Sequence, residues 1–182
     1  MNKPRLTNVF RTVIALLTVT VSLANAWAAN GPAGQQTGAP HNQAVFSGAW
    51  FDVSYPAGFT ARPSLKSSTA EGYDSAEFIS PDGTVSFYVF APQWSGTPAD
   101  IARIPNREQL VTEQKSQVRD REIRWFTIAA RDGSYRRSYQ ETVARQGSVK
   151  TIVGIKYRNE KARLRYQKAY EQFRKSLQLY AD

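Results

Sequence analysis

The sequence contains no cysteine, one methionine and one histidine among 182 residues. Without cysteine there is no disulfide, no thiolate metal ligand, no thiol redox centre and no cysteine nucleophile. The lone histidine, His41, stands among small and polar residues with nothing to fix it against a substrate. It reads as solvated, and neither a metal nor a cofactor is expected. Long apolar runs are scarce too. The run from Thr12 to Ala24 has 13 residues, short of the about 20 needed to cross a bilayer. What is present, 41% hydrophobic and 21% charged residues, suits one globular domain able to bury its own core.

Lys3, Arg5 and Arg11 precede that apolar run, and Ala24-Asn25-Ala26 and Ala26-Trp27-Ala28 follow it. A basic start, a short apolar stretch and a small-residue exit predict a signal peptide over residues 1–28, cut after Ala26 or Ala28. The product is expected in the periplasm or outside the cell, and the lack of cysteine excludes a lipid anchor at the cut. Taking away the three basic residues of the signal leaves 21 Lys+Arg against 15 Asp+Glu, a formal +6. Residues 29–43 are rich in Gly, Pro, Ala, Gln, Asn and Thr and read as a flexible leader.

Residues 44–182 read as one α+β domain, an antiparallel β-sheet packed by helices. Phe51, Val53 and Tyr55 alternate with Asp52 and Ser54 at the period of a half-buried strand. Phe59–Ser68 and Asp74–Ser80 are expected to be extended, with a turn at Glu71-Gly72 between them. Thr84 to Ala91 has apolar residues on both faces, the mark of a central strand. Thr97-Pro98-Ala99-Asp100 has the residues of a helix start, predicting a short helix through Ile104 capped by Thr97. Glu108–Val118 fits neither helix nor strand period. Strands over Arg121–Arg131 and Ser134–Arg145 flank Asp132-Gly133, read as a tight two-residue turn. A return through Gln146-Gly147 leads into Ser148–Tyr157. Asn159 then caps a helix whose apolar stripe is Ala162, Tyr166, Ala169, Tyr170, Phe173, Leu177 and Tyr180.

Two segments carry a family likeness. Phe51-Asp52-Val53-Ser54-Tyr55-Pro56-Ala57-Gly58-Phe59 resembles the opening of the PsbP-like superfamily, and the closing Tyr170, Phe173, Ser176 and Leu177 resemble its final helix. That superfamily includes the extrinsic photosystem II subunit, a Ran-binding nuclear import factor and many exported bacterial proteins. The resemblance implies an α/β/α sandwich around an antiparallel sheet, and binding or assembly rather than catalysis. Nothing here matches the photosystem subunit's metal-associated residues or the import factor's Ran-contacting surface. The tract from Asp132 to Tyr139 is dense in aromatic and hydrogen-bonding groups, but no role attaches to it.

Chemistry is thin. With no histidine after His41 and no Gly-x-Ser-x-Gly elbow, a serine hydrolase lacks its base. Lys66 stands beside Ser67 and Ser68, but immediate neighbours on an extended chain point to opposite faces, which counts against a serine-lysine contact. Glu77, Glu113 and Glu141 supply carboxylates for a hydrolytic pair, the alternative to a binding role, but spacing selects none. The stronger signal is positive charge. Arg119, Arg121, Arg124, Arg131, Arg136 and Arg137 fall along the central hairpin, and Lys156, Arg158, Lys161, Arg163, Arg165 and Lys168 run into the last helix. Arginine's planar fork suits phosphate or carboxylate. The expectation is an exported, non-catalytic envelope protein binding through Arg124, Arg136, Arg137, Lys161, Arg165, Lys168 and Lys175. A partner protein and an anionic envelope polymer both fit this chemistry, as does peripheral contact with a membrane; specific nucleic-acid recognition does not. The same charges also read as a solvated face partly neutralised by Glu160 and Glu171.

Overall fold

The computed structural model describes residues 43–93, 96–144 and 149–180. The signal peptide, His41, Trp94 and the Gln146-Gly147 turn lie outside the described residues. Seven antiparallel strands form the main sheet: β3 (Thr60–Pro63), β4 (Ser75–Ile79), β5 (Val85–Phe90), β6 (Glu108–Val118), β7 (Arg121–Ala130), β8 (Arg136–Ala144) and β9 (Lys150–Tyr157). Their spatial order is β3-β4-β5-β9-β8-β7-β6. A second small sheet has β2 (Phe51–Pro56) between β1 (Gln43–Ser47) and the two-residue β10 (Gln178–Leu179). β1 thus begins at the last residue of the stretch expected as a leader. One helix, α1 (Glu160–Ser176), packs on β2, β5 and β9.

The helical side of the sheet holds an aromatic core. Val85, Phe87 and Val89 of β5 and Val153, Ile155 and Tyr157 of β9 meet Phe51, Val53, Phe78 and Phe173. Phe173 lies at the middle of this cluster, its ring centroid 5.2 Å from those of both Phe78 and Phe87. Asn159 caps α1 as the sequence predicts, its Oδ1 accepting the Ala162 N–H at 2.9 Å. The apolar stripe of α1 ends sooner than expected. Leu177 closes the helix, and Tyr180 lies beyond β10, where its hydroxyl donates to Asp52 at 2.6 Å.

Other expectations change. The short helix is a single 3-10 turn, Ala99–Ile101, with Pro98 rather than Thr97 at its start and no side-chain cap. Pro98 is extended and has no side-chain oxygen with which to cap. Glu108–Val118 is a strand at the sheet edge, almost wholly exposed, so neither face writes an apolar period into it. The β7–β8 connection is longer than a two-residue turn: only Gly133 takes a positive φ, 74°, and Asp132 Oδ1 accepts from the Ser134 N–H and hydroxyl. All six residues of β5 are buried, as its two-faced pattern predicts. The architecture is α+β, an antiparallel sheet with a helix packed across it.

Candidate functional site

The face of the sheet turned away from α1 is chemically different. Antiparallel register sets Arg62, Glu77, Tyr88, Gly154 and Tyr139 in one row across β3, β4, β5, β9 and β8. The next row on the same face is Ser86, Lys156 and Arg137. Alternation along a strand forces this: β5 sends Phe87 to the core and Ser86 and Tyr88 to the opposite side. Gly154 is needed here, because a Cβ would strike the Tyr139 ring. Tyr88 and Tyr139 consequently meet edge to face with centroids 6.0 Å apart.

A segment from Ala99 to Glu108 crosses this face and is locked to it by buried polar groups. Glu108 is 1% exposed and Arg137 6%. Arg137 binds Glu108 with two parallel bonds, Nε to Oε1 at 2.9 Å and Nη2 to Oε2 at 2.6 Å. The rest of the fork donates to the carbonyls of Ile101 at 2.7 Å and Ala102 at 3.2 Å. Glu108 also accepts from the Tyr135 hydroxyl at 2.6 Å and the Ile104 N–H at 2.8 Å. Burial alone would raise the Glu108 carboxyl, but the Arg137, Tyr135 and Ile104 donors outweigh it and hold the carboxyl at about 2. Asp100 pins the other end of the segment, accepting from Tyr88 and Ser75 hydroxyls, each at 2.8 Å. Burial, then Asp100, pushes the Tyr88 phenol well above its usual range, so it stays a donor.

Between this segment and β3 lies a cavity of about 410 Å³, lined among others by Arg62, Glu77, Tyr88, Asp100 and Lys156. It shares Arg62, Glu77, Ser86, Tyr135 and Lys156 with a neighbouring hollow of about 390 Å³ that reaches Arg158. The two make one groove. Lys156 Nζ sits 4.4 Å from the Tyr135 ring centroid. Among the described residues no carboxylate lies within ion-pair distance of Arg62 or Lys156. Glu77 accepts from Ser86 through Oε1 at 2.6 Å. No three acidic side chains among the described residues are grouped so as to hold a metal ion.

The seven cations expected to bind are divided between the two sides. Arg137 lies under the crossing segment, fully engaged. Arg124, on the same face, meets Glu113 at 2.5 Å and the Phe126 ring at 4.4 Å. Arg136 is exposed on the α1 side, opposite in direction to Arg137 as alternation requires. Lys161, Arg165, Lys168 and Lys175 are all exposed on α1. Arg165 bonds Asp82 at 3.0 Å, whereas the three lysines have no carboxylate partner among the described residues. Arg62 was not singled out by sequence, since one arginine on a four-residue strand carries no pattern. Lys156 stood within the basic run, but only register shows its neighbours.

The carboxylates considered for hydrolysis are either far apart or neutralised by cations of the fold. Glu77 and Glu113 stand at opposite ends of one cross-strand row, five strand steps or roughly 24 Å apart, whereas glycosidase pairs are separated by about 5 to 9.5 Å. Glu113 and Glu141 flank one side chain, Arg124, at 2.5 Å and 4.0 Å, and Glu141 also neighbours Lys150 at 3.7 Å, so these two are ion-paired carboxylates rather than a free acid and base.

No family model matches the chain, and no curated protein matches it in sequence. Among solved structures it is similar to cyanobacterial PsbP from Synechocystis sp. PCC 6803, at 11% identity and a TM-score of 0.44, covering 82% of this chain and 100% of that one. It is also similar to the Saccharomyces cerevisiae Ran-binding protein Mog1p, at 9% identity and a TM-score of 0.39, covering 76% of this chain and 96% of that one. Among the described residues no helix is long and apolar enough to cross a membrane.

Proposed function

We propose that this chain is an exported, non-catalytic binding protein that takes an anionic group of an envelope component or partner protein into the groove between Arg62 and Lys156. The observation that supports this is that two cations without a carboxylate partner among the described residues line one groove. Arg124, Arg137, Arg163 and Arg165 each have a carboxylate of the fold, while Arg62 and Lys156 at the groove have none. Their Cα atoms are roughly 16 Å apart by strand spacing, a gap that two long side chains narrow to the width of a carboxylate-bearing segment. Tyr88 and the Glu108–Arg137 lock fix the floor, so little is lost to ordering when a ligand arrives. The exposed lysines of α1, with Arg136, add longer-range attraction for the same anionic partner.

The test is titration of the protein with polyglutamate and with oligogalacturonate, each against an uncharged counterpart. Lys156→Gln and Arg62→Gln should each weaken binding by about tenfold or more, as losing a charge-assisted contact does, with the melting temperature little changed. Preference for polyglutamate supports a protein partner, and preference for oligogalacturonate supports a polymer. Equal low-salt affinities for wild type and both variants would sink the groove assignment.

A further inference from the structure

We propose that β6 is a pairing edge through which two copies of this chain join antiparallel, making one continuous sheet across the two molecules. β6 ends the seven-stranded order, and among the described residues no strand pairs with its outer side. It runs for 11 residues with no proline, and every residue after Glu108 is exposed. Leu110, Val111 and Val118 are 46%, 45% and 48% exposed. An edge of this length presents a row of backbone donors and acceptors able to pair with another strand.

The sequence of the strand selects a second copy as the occupant. The register shifts between Leu110 and Thr112, which leaves Thr112–Val118 as the regular stretch. Set against itself antiparallel about Gln114, that stretch places Glu113 opposite Lys115 twice, Thr112 opposite Ser116 twice, and Gln114 opposite Gln114. Opposite charges and hydroxyl pairs facing each other across an antiparallel pair are favourable. Glu113 and Lys115 also share one face of the strand, being two residues apart. Within the chain Lys115 has no carboxylate partner among the described residues, and Glu113 uses only Oε1 for Arg124. The two-fold axis that this pairing requires makes a closed dimer. One lysine and one bulge are also the devices by which a monomer guards an edge, so the oligomeric state decides between the two readings.

Because the chain has no cysteine, Gln114→Cys introduces a single thiol. In the proposed pairing it faces its own copy at a Cα separation of about 4.5 to 5.5 Å, within disulfide reach. Ser116→Cys is the control, its two copies roughly 13 Å apart. Oxidation should cross-link the first variant and leave the second monomeric on a non-reducing gel. In sedimentation equilibrium, Glu113→Lys and Lys115→Glu should each weaken the dimer by about tenfold, since like charges then face each other twice, and the double charge swap should restore it. A wild-type chain that stays monomeric up to its solubility limit would overturn the proposal. So would equal cross-linking of both thiols, single reversals without effect, or assemblies that grow beyond dimers.

Discussion

The two faces of the seven-stranded sheet are built from the same strands and each buries an apolar cluster, the far one around Phe90, Phe126, Ile128 and Ile152, but only the far face adds a buried ion pair. On the α1 side, Phe87, Phe173 and Phe78 fill space without any polar obligation, and contact area does the stabilising. On the far side, Arg137, Glu108, Tyr135, Asp100 and Tyr88 are held by directed bonds, and each is tolerable there only while its partner is present. The difference teaches where specificity lies. An aromatic core accepts many shapes, whereas a buried ion pair with every donor used fixes one position of the segment that walls the groove.

Single and double substitutions separate apolar packing from the buried ion pair. Phe173→Ala should cost about 3 to 5 kcal/mol, as removing a buried aromatic does, with no second substitution nearby that restores it short of refilling the space. Arg137→Leu should cost a similar 3 to 5 kcal/mol for another reason, because it leaves the Glu108 charge buried without its counter-ion. Adding Glu108→Leu to Arg137→Leu should recover much of that loss. Urea unfolding of the four proteins measures this, and a double variant no more stable than Arg137→Leu would show that the far side depends on packing after all. The recovered double variant should bind more weakly in the groove, since its wall is no longer fixed.

Acid should act on one face before the other. The Glu108 carboxyl, at about 2 against an ordinary 4.5, binds its proton more weakly folded than unfolded. Its stabilisation is therefore complete above about pH 4.5 and is lost as the pH falls towards 2, a change on the order of 3 kcal/mol. Asp52, Asp82 and Asp132 are also lowered by hydrogen bonds, so wild type alone does not isolate Glu108. The difference between wild type and Glu108→Gln in urea midpoint, followed from pH 6 to pH 2, does. That difference should shrink steadily over the window, and a constant offset would contradict the assignment.

Legibility in the sequence followed burial. β5 and α1 were readable because covered faces write a period: two-sided in Val85–Phe90, every three or four residues from Ala162 to Phe173. β6 was not, since both of its faces meet water and no apolar alternation is required of it. β10, at two residues, is shorter than any period. For the candidate site, sequence located the arginine-rich hairpin but could not say which of Arg136 and Arg137 turns inward. That depends on register with Lys156 and Tyr157. The partner of Arg137 lies 29 residues away at the head of the ambiguous segment. Such a pairing has no local signal, because it is made by the sheet bringing β6, β7 and β8 side by side.

The smallest effect is expected on α1, where charge is displayed rather than buried. Lys161, Lys168 and Lys175 are seven residues apart, which keeps them within a narrow arc of a helix with 3.6 residues per turn. Their neighbours Arg163 and Arg165 are committed to Glu160 and Asp82, and Arg174 donates to Gln140 at 2.6 Å. Replacing the three lysines with Gln should shift stability by less than about 1 kcal/mol, since exposed charges contribute little to folding. Binding to a polyanion should weaken at low salt, and the gap from wild type should close as salt rises past the point where the Debye length is about 8 Å. The loss from Lys156→Gln should instead persist in part at that salt, because a contact made inside a groove is screened less than one displayed to water. Affinities measured for both variants across one salt series give the comparison directly. If the triple lysine variant proves the more salt-resistant loss, anions are held on the helix and the groove serves some other end.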